Sequence, residues 1–437
     1  MTLCTTKKIE FARNKNRKIE AEFKGGDVTS DGGILLLREV DRKLGLIKKI
    51  AGFIEDPRQQ DKCNHEQTTM LRQRIFGLAL GYEDLNDHIT LRKDKAFQVA
   101  VEQQDHLASS STLCRLENRI TTKAMWQISE ALVDVFIQSH KKAPKELILD
   151  FDATNDPVHG DQLGAVFHGY YDQYCFLPLY VFCGEFLLTA YLRPGDSDAA
   201  KHAWGILALL VKKLRQKWPR VKIVFRGDSG FCKHKIMDWC EKNEVYYIIG
   251  IGKNSRLLEA SQALIDQAAE QYRQTEKKQR LFDDFEYAAK SWSRHRRVIV
   301  KAEHTFKGSN PRYVVTNLSG DPQYLYDKVY CARGEMENRI KEQQLYLFSD
   351  RTSSMNWLPN QFRVLLSGIA YTLLQTIRRL GLAGTDLAKA RCDTIRLKLL
   401  KIGAVIIENT RRIRFLLSSA YPWQNLFRQV VANLEGG

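Results

Sequence analysis

Carboxylates carry most of the chemistry this chain could do. Asp152 closes the string ELILDFD and Asp228 follows VKIVFRG, so each stands where a strand-like run ends. A third, Glu337, lies in YCARGEMENRIKEQQ, where Tyr330, Arg333, Glu337 and Lys341 recur at steps of three, four and four and so share one helix face. Three carboxylates are the oxygen donors that hard Mg²⁺ or Mn²⁺ ions prefer. Two such ions about 4 Å apart can activate an attacking oxygen and stabilise a leaving one in phosphoryl transfer. Alternate residues of a strand share a face, so Asp150 points the way Asp152 does, and either could supply the first acid. Asp228 also sits inside two misleading strings. GDSG is how many serine proteases present their nucleophile, but Ser229 would need a histidine base held by a third group, and no histidine here has that setting. RGDS as an adhesion loop would need an exported protein. His159 and His168 have no neighbours at zinc-like spacing and read as loop or core residues.

Strands and helices must bring these residues together, and the periodicities supply both. After Pro144 come ELILDFDAT, CFLPLYVFCG and EFLLTAYLRPG, three strands, the last two joined at Gly184 as a hairpin. SDAAKHAWGILALLVKKLRQKWP is an amphipathic helix stopped by Pro219; VKIVFRGDS is a strand, HKIMDWCEKNEV a helix and YYIIGIG a strand. The order β-β-β-α-β-α-β is that of a ribonuclease-H-like α/β core, although order alone leaves several α/β folds open; in that core the first and fourth strands are neighbours and aim Asp152 and Asp228 at one site. Residues 141–252 are assigned to the first part of this core, 253–324 to a β-rich insertion and 325–380 to the last part, with Glu337. Residues 1–24 read as a basic arm, 25–140 as a helical DNA-binding region and 381–437 as a basic C-terminal region with a hairpin turning near Asn409. In the helical region Ser30 and Asp31 are candidate N-caps, and SSSTLCRLENRI resembles the second helix of a helix-turn-helix.

Lys and Arg outnumber Asp and Glu by 67 to 51, a net charge of +16 in a chain that is 44% hydrophobic. A folded protein with that balance points to a polyanionic partner, nucleic acid above all. The nine cysteines are scattered and form no C-x-x-C pair, which argues against a disulfide framework or a zinc knuckle and fits a reducing cytosol. The first 26 residues lack an apolar signal core, and apolar runs such as LYVFCGEFLLTAYL are too short to span a bilayer. The expectation is a cytoplasmic, nucleoid-associated protein.

With these strings in view, the chain resembles the DDE transposases of bacterial insertion sequences, in the branch with a Y-(2)-R-(3)-E signature, and within it the group named after insertion sequence thirteen-eighty. The resemblance runs along TSDGGILLLRE, ALGYEDLNDH, LASSSTLCRLEN, DFDATNDPVHG, HGYYDQYCFLPL, FRGDSGF, YVVTNL, RGEMENRIKE and DRTSSMNWLPNQFRVLLSGIAYTL. It implies Asp152 as the first acid, because D-A-T matches the family's triplet, with Asp228 and Glu337 as the other metal-binding catalytic acids. It implies Tyr330 and Arg333 as partners near the cleaved DNA end, where Arg333 suits bidentate phosphate contact. The family places a lysine seven residues after the glutamate; here that position is Gln344, and Lys341 is offered as the substitute charge. The implied reaction is hydrolysis at inverted-repeat ends followed by attack of the freed 3′-hydroxyls on target DNA, with Mg²⁺ or Mn²⁺, two ions, on a homodimer assembled on double-stranded DNA. Two other readings are a regulator that has lost catalysis, for which Gln344 speaks, and a nuclease that does not join. Trp292 or Trp357 could stack on a flipped base.

Overall fold

The structure is a computed structural model that describes residues 8–436. Two compact units form: one holds the described residues up to Ala51, Asp56–Leu116 and those from Thr376 on, the other Gly52–Glu55 and Glu117–Gln375. The second unit is built on strands that read as apolar on both faces. Such strands need cover on both sides, and parallel pairing provides it. Numbered along this unit, the strands of its large mixed sheet are β1 (Glu146–Ala153), β2 (Leu179–Cys183), β3 (Phe186–Tyr191), β4 (Lys222–Gly227), β5 (Tyr246–Ile251), β6 (Gln279–Tyr287), β7 (Arg296–Thr305) and β8 (Arg312–Thr316). Their order is β6-β7-β8-β5-β4-β1-β2-β3, with β1, β4 and β5 mutually parallel and the rest antiparallel to their neighbours.

Alternation sorts the side chains. Leu149 and Phe151 of β1, Ile223 and Phe225 of β4 and Tyr247 and Ile249 of β5 pack with the helices Ala203–Lys217 and His234–Lys242. Val224 and Ile248, one residue out of step, face the other way and pack with Leu325 and Tyr326. Asp150 and Asp152 of β1 lie on that second face, out of step with Leu149 and Phe151. The stretch expected to be an insertion supplies two helices, Ser255–Ala260 and Gln262–Thr275, and β6 to β8, which continue the same sheet: β8 pairs antiparallel with β5, Val315 opposite Ile249. The run CFLPLYVFCG is not one strand. Pro178 has no N–H for a ladder, so Gln173–Phe176 joins a separate small sheet with Asp156–Pro157 and Val166–His168, and β2 begins at Leu179.

The other unit is helical, with helices that include Ile34–Leu44, Gln67–Leu80 and Lys95–Ala100 and a three-stranded sheet of Val28–Thr29, Ala404–Asn409 and Arg412–Leu417. Residues 1–7 of the expected arm and Gly437 lie outside the described residues; Ile9–Asn14 and Arg17–Ala21 form an exposed hairpin. Ser30 and Asp31 do not cap the first helix. A Cβ on Gly33 would stand 1.9 Å from the Leu399 carbonyl, so only glycine fits there; residues 32 and 33 form a turn, with the Ile34 N–H donating to the Asp31 carbonyl at 2.9 Å, and the helix starts at Ile34 with Gly33 at its N-cap. Asp31 instead accepts from the Tyr82 hydroxyl at 2.7 Å and pairs with Lys401 at 2.7 Å. The helix Ser110–Asn118 follows Lys95–Ala100 only after residues 101–109, a connection longer than the turn of about three to four residues in a helix-turn-helix.

A buried histidine makes this unit acid-sensitive. The Gln73 amide donates to the Ala108 carbonyl at 2.9 Å and accepts from the Ala108 N–H at 3.1 Å, which fixes its NH₂ toward His88 Nδ1 at 3.2 Å. His88 is therefore neutral with its proton on Nε2. Burial, then the charge of Arg74, lowers its pKa to about 3. Between pH 6.5 and 3 the unfolded chain binds a proton that the folded one refuses, so stability is full above about 6.5 and falls by up to about 1.4 kcal/mol per pH unit below it. His88→Gln should flatten this dependence in melts followed from pH 7.5 to 5. A slope unchanged by the substitution would assign the sensitivity elsewhere.

Candidate active site

Strand register brings the first two acids together. In the parallel pair of β1 and β4, Asp150 lies opposite Arg226 and Phe151 opposite Gly227, so Asp228 leaves β4 beside Asp152. Asp228 then starts a tight turn, its Oδ1 accepting from the Gly230 N–H at 2.9 Å; Ser229 and Gly230 shape that turn. Asp150 and Asp152 do share a face, but their neighbours differ. Asp150 is held two-handed by Arg226, through Nε to Oδ1 and through Nη2 to Oδ2 at 2.7 Å, with both side chains buried. Arg226 also donates to the Val329 carbonyl, one residue before Tyr330. Asp150 thus anchors the segment that leads to the third acid, and Asp152 is the carboxylate facing it.

That segment winds from Leu325 through wide and then tight turns into the helix Gly334–Lys341, which buries Met336 and Ile340 and leaves Glu337 half-buried. Arg333 bridges two acids, its Nη2 donating to Glu337 Oε1 at 2.7 Å and its Nη1 lying 3.3 Å from Asp152 Oδ2. Burial, then the nearby charges of Asp228 and Glu337, push the Asp152 carboxyl up to about 7 against the pull of Arg333. Burial works against the Arg333 charge, yet Asp152 and Glu337, with Tyr330 and Asp228, more than offset it and raise its pKa. The Tyr330 hydroxyl is raised by burial and by Asp228. Asp152, Asp228, Glu337, Tyr330 and Arg333 therefore occupy one site. Lys341 lies one turn further on, exposed, and Gln344 donates to the Asn155 carbonyl at 2.9 Å.

Among the described residues no three metal-ligating side chains close tightly enough to enclose an ion. The donor set still suits a hard cation. It is all carboxylate oxygen, and one cationic side chain, Arg333, pairs with two of the three acids.

Three participants escaped the reading of the sequence. Arg226 is a charge inside an apolar strand, a signal that was present in VFRG. Tyr171 is raised by burial and then by Asp152, Tyr170 and Asp228, which places it by the acids; nothing in HGYYDQY sets it apart from Tyr170. Gly250 is an unexplained glycine mid-strand. A Cβ there would stand 2.5 Å from the Tyr330 hydroxyl and 3.0 Å from the Ser229 nitrogen, so the bare backbone of β5 is what lets Tyr330 lie against the turn after Asp228. Gly250→Ala should lower turnover about 10-fold by displacing Tyr330, and in a Tyr330→Phe background it should add little. Independent, multiplying losses in steady-state rates would refute that coupling. Both tryptophans offered for a flipped base are packed: Trp357 edge-on to Phe176 at 5.3 Å and over Gly164, Trp292 against Tyr287 at 5.5 Å and beneath Arg296.

No curated protein matches the chain. Seven chains of solved structures do, among them a cryo-EM structure of piggyBac transposase in a synaptic complex with hairpin DNA, 10% identical over 85% of this chain and 80% of that one, with a TM-score of 0.38. No described helix is long and apolar enough to cross a membrane. The family model for the transposase DDE domain, group 1, matches residues 11–436, nearly the entire sequence, and the chain belongs to that family of transposases.

Proposed function

We propose that this transposase hydrolyses DNA at the inverted-repeat ends of an insertion sequence and joins the freed 3′-hydroxyls to target DNA, with Asp152, Asp228 and Glu337 as its catalytic acids. The observation that carries this is Arg333 bridging Asp152 and Glu337, with Asp228 leaving the neighbouring parallel strand beside Asp152, so that acids from two strand ends and a distant helix share one site. The order β3-β2-β1-β4-β5, antiparallel then parallel, supports a ribonuclease-H-like core. Asp152, Asp228 and Glu337 would hold Mg²⁺ or Mn²⁺, two ions, which when bound supply a Lewis acid for the phosphate and an activated attacking oxygen. Arg333, released from Glu337, has the planar fork to grip a phosphate, and Tyr330 lines the same wall. The spacing of Tyr330, Arg333 and Glu337 supports the Y-R-E branch, and the run of motifs along the sequence the thirteen-eighty group within it. The helical region 25–140 and the basic segment 381–437 would bind the ends, in a homodimer that holds both, with phosphate contacts that weaken steeply with salt.

Gln344 favours a second reading, a DNA-binding regulator without catalysis, because its amide is spent on the Asn155 carbonyl and supplies no charge. One experiment separates the two: incubation of the full chain with a labelled duplex that carries the element's terminal inverted repeat, in Mg²⁺ or Mn²⁺. Cleavage at the end and joining to a second duplex are expected. Specific binding with no cleavage in either metal would favour the regulator, and cleavage without joining a simple nuclease.

A further inference from the structure

The small sheet that interrupts the run from β1 to β2 is rooted beside the first acid at both ends. It starts at Asp156, four residues after Asp152, and its last strand ends at Phe176, four residues before Tyr180, which lies opposite Asp152 in the β1–β2 pair. The roots are rigid. Asp156 accepts from the Thr352 hydroxyl at 3.0 Å, and a Cβ on Gly195 would meet the Cys175 carbonyl at 2.2 Å and the Val166 carbonyl at 2.5 Å, so the hairpin lies flat on bare backbone.

Its tip is ordered and aromatic. The Tyr171 and Asp172 N–H groups both donate to the His168 carbonyl, at 3.1 and 2.8 Å, Asp172 takes the left-handed conformation at φ 52°, and His168 Nδ1 accepts from the Tyr170 N–H at 3.2 Å. Tyr171 turns inward, its ring 4.9 Å from that of His168 and 5.0 Å from that of Tyr170, and feels the charges of Asp152 and Asp228. The other rings turn outward: Tyr170 is 85% exposed, Tyr174 60% and Phe167 48%, the last two paired across the strands at 5.7 Å. A soluble protein gains nothing from showing water three rings on one short hairpin, unless a flat, apolar face is what they meet. The neighbouring acids say which face that is, since a nucleobase next to a phosphate under attack offers one, and stacking on aromatic side chains tolerates any base.

We propose that the hairpin Val166–Phe176 is a stacking platform for an unpaired nucleobase of the DNA strand being cut, with Tyr170 as the main stacking ring and Tyr174 and Phe167 beside it. The proposal rests on the reading of the three acids as a DNA-cutting site. It supplies what the packed Trp292 and Trp357 do not: exposed rings, the foremost of them in contact with Tyr171.

The test is binding of the full-length chain to a fluorescent single-stranded oligonucleotide and to a duplex of the same sequence, by anisotropy in EDTA, so that cleavage plays no part. Tyr170→Ala should weaken single-strand binding roughly 10-fold and leave duplex binding within about two-fold, whereas Tyr170→Trp should bind the single strand at least as tightly as wild type. Tyr174→Ala should show a smaller loss of the same kind. Equal affinity of wild type and Tyr170→Ala for the single strand, or equal losses on both DNAs, would overturn the platform. If wild type also cuts duplex ends in metal, that failure leaves the transposase reading standing. A Tyr170-dependent single-strand affinity in a chain that cuts nothing would instead keep Tyr170 as a base-stacking contact and sink the hydrolytic reading, and with it the platform's role in cutting.

Discussion

Asp228→Asn should lower end cleavage by about three orders of magnitude or more while end binding stays within about two-fold of wild type. The substitution keeps shape and removes the charge. Asp228 Oδ1 already accepts from the Gly230 N–H, and an amide oxygen can do the same, so the turn after β4 should survive. What is lost is a carboxylate oxygen for a hard cation, which an amide replaces poorly. Asp152→Asn and Glu337→Gln should behave alike in cleavage. In binding they should equal or exceed wild type, because each removes negative charge from a surface that meets a polyanion. Glu337→Gln also turns the 2.7 Å ion pair with Arg333 into a weaker, neutral-acceptor hydrogen bond. Gel-shift and single-turnover cleavage assays on one labelled end decide the matter. A folded Asp228→Asn chain that had lost binding together with cleavage would show that the acids hold the DNA rather than act on it.

Asp150→Ala should destabilise the second unit by about 3–5 kcal/mol, because it strands a buried guanidinium. Asp150 and Arg226 side chains are 4% and 7% exposed, and Arg226 has the Val329 carbonyl as its other acceptor. Removing both charges by Asp150→Leu with Arg226→Met should recover much of that loss, since the desolvation penalty disappears with the pair. It should not recover cleavage. Without the Arg226 bond to Val329 the segment bearing Tyr330 and Arg333 loses its tie to β4, so turnover should stay low in a stable protein. Denaturant unfolding and cleavage measured on the same preparations test both halves. Were Asp150→Ala as stable as wild type, the anchoring role would be wrong, and Asp150 would return as a candidate first acid.

Much of the site was legible before any fold was known, for reasons that lie in particular residues. Period-two alternation put Asp150 and Asp152 on one face, and the helical steps 330, 333, 337 and 341 aligned the third acid with its partners. Register decided the rest. That Asp228 emerges beside Asp152 follows from Gly227 lying opposite Phe151, a pairing between residues far apart in sequence. Local strings also misled where contacts from elsewhere intervened: Pro178 divided one apolar run between two sheets, and Asp31, a candidate cap by sequence, is engaged by Tyr82 and Lys401 while Gly33 takes the N-cap position.

The sequence by itself determined the candidate residues, carboxylates in a basic chain, and the strands and helix that bear them, because residue type and period act over a few neighbours. Only the tertiary structure decided which partner each of two like acids meets. Asp150 and Asp152 are equivalent along the strand, and what distinguishes them is the side chain each meets from elsewhere in the chain: Arg226 closes on one, and the site around Arg333 receives the other.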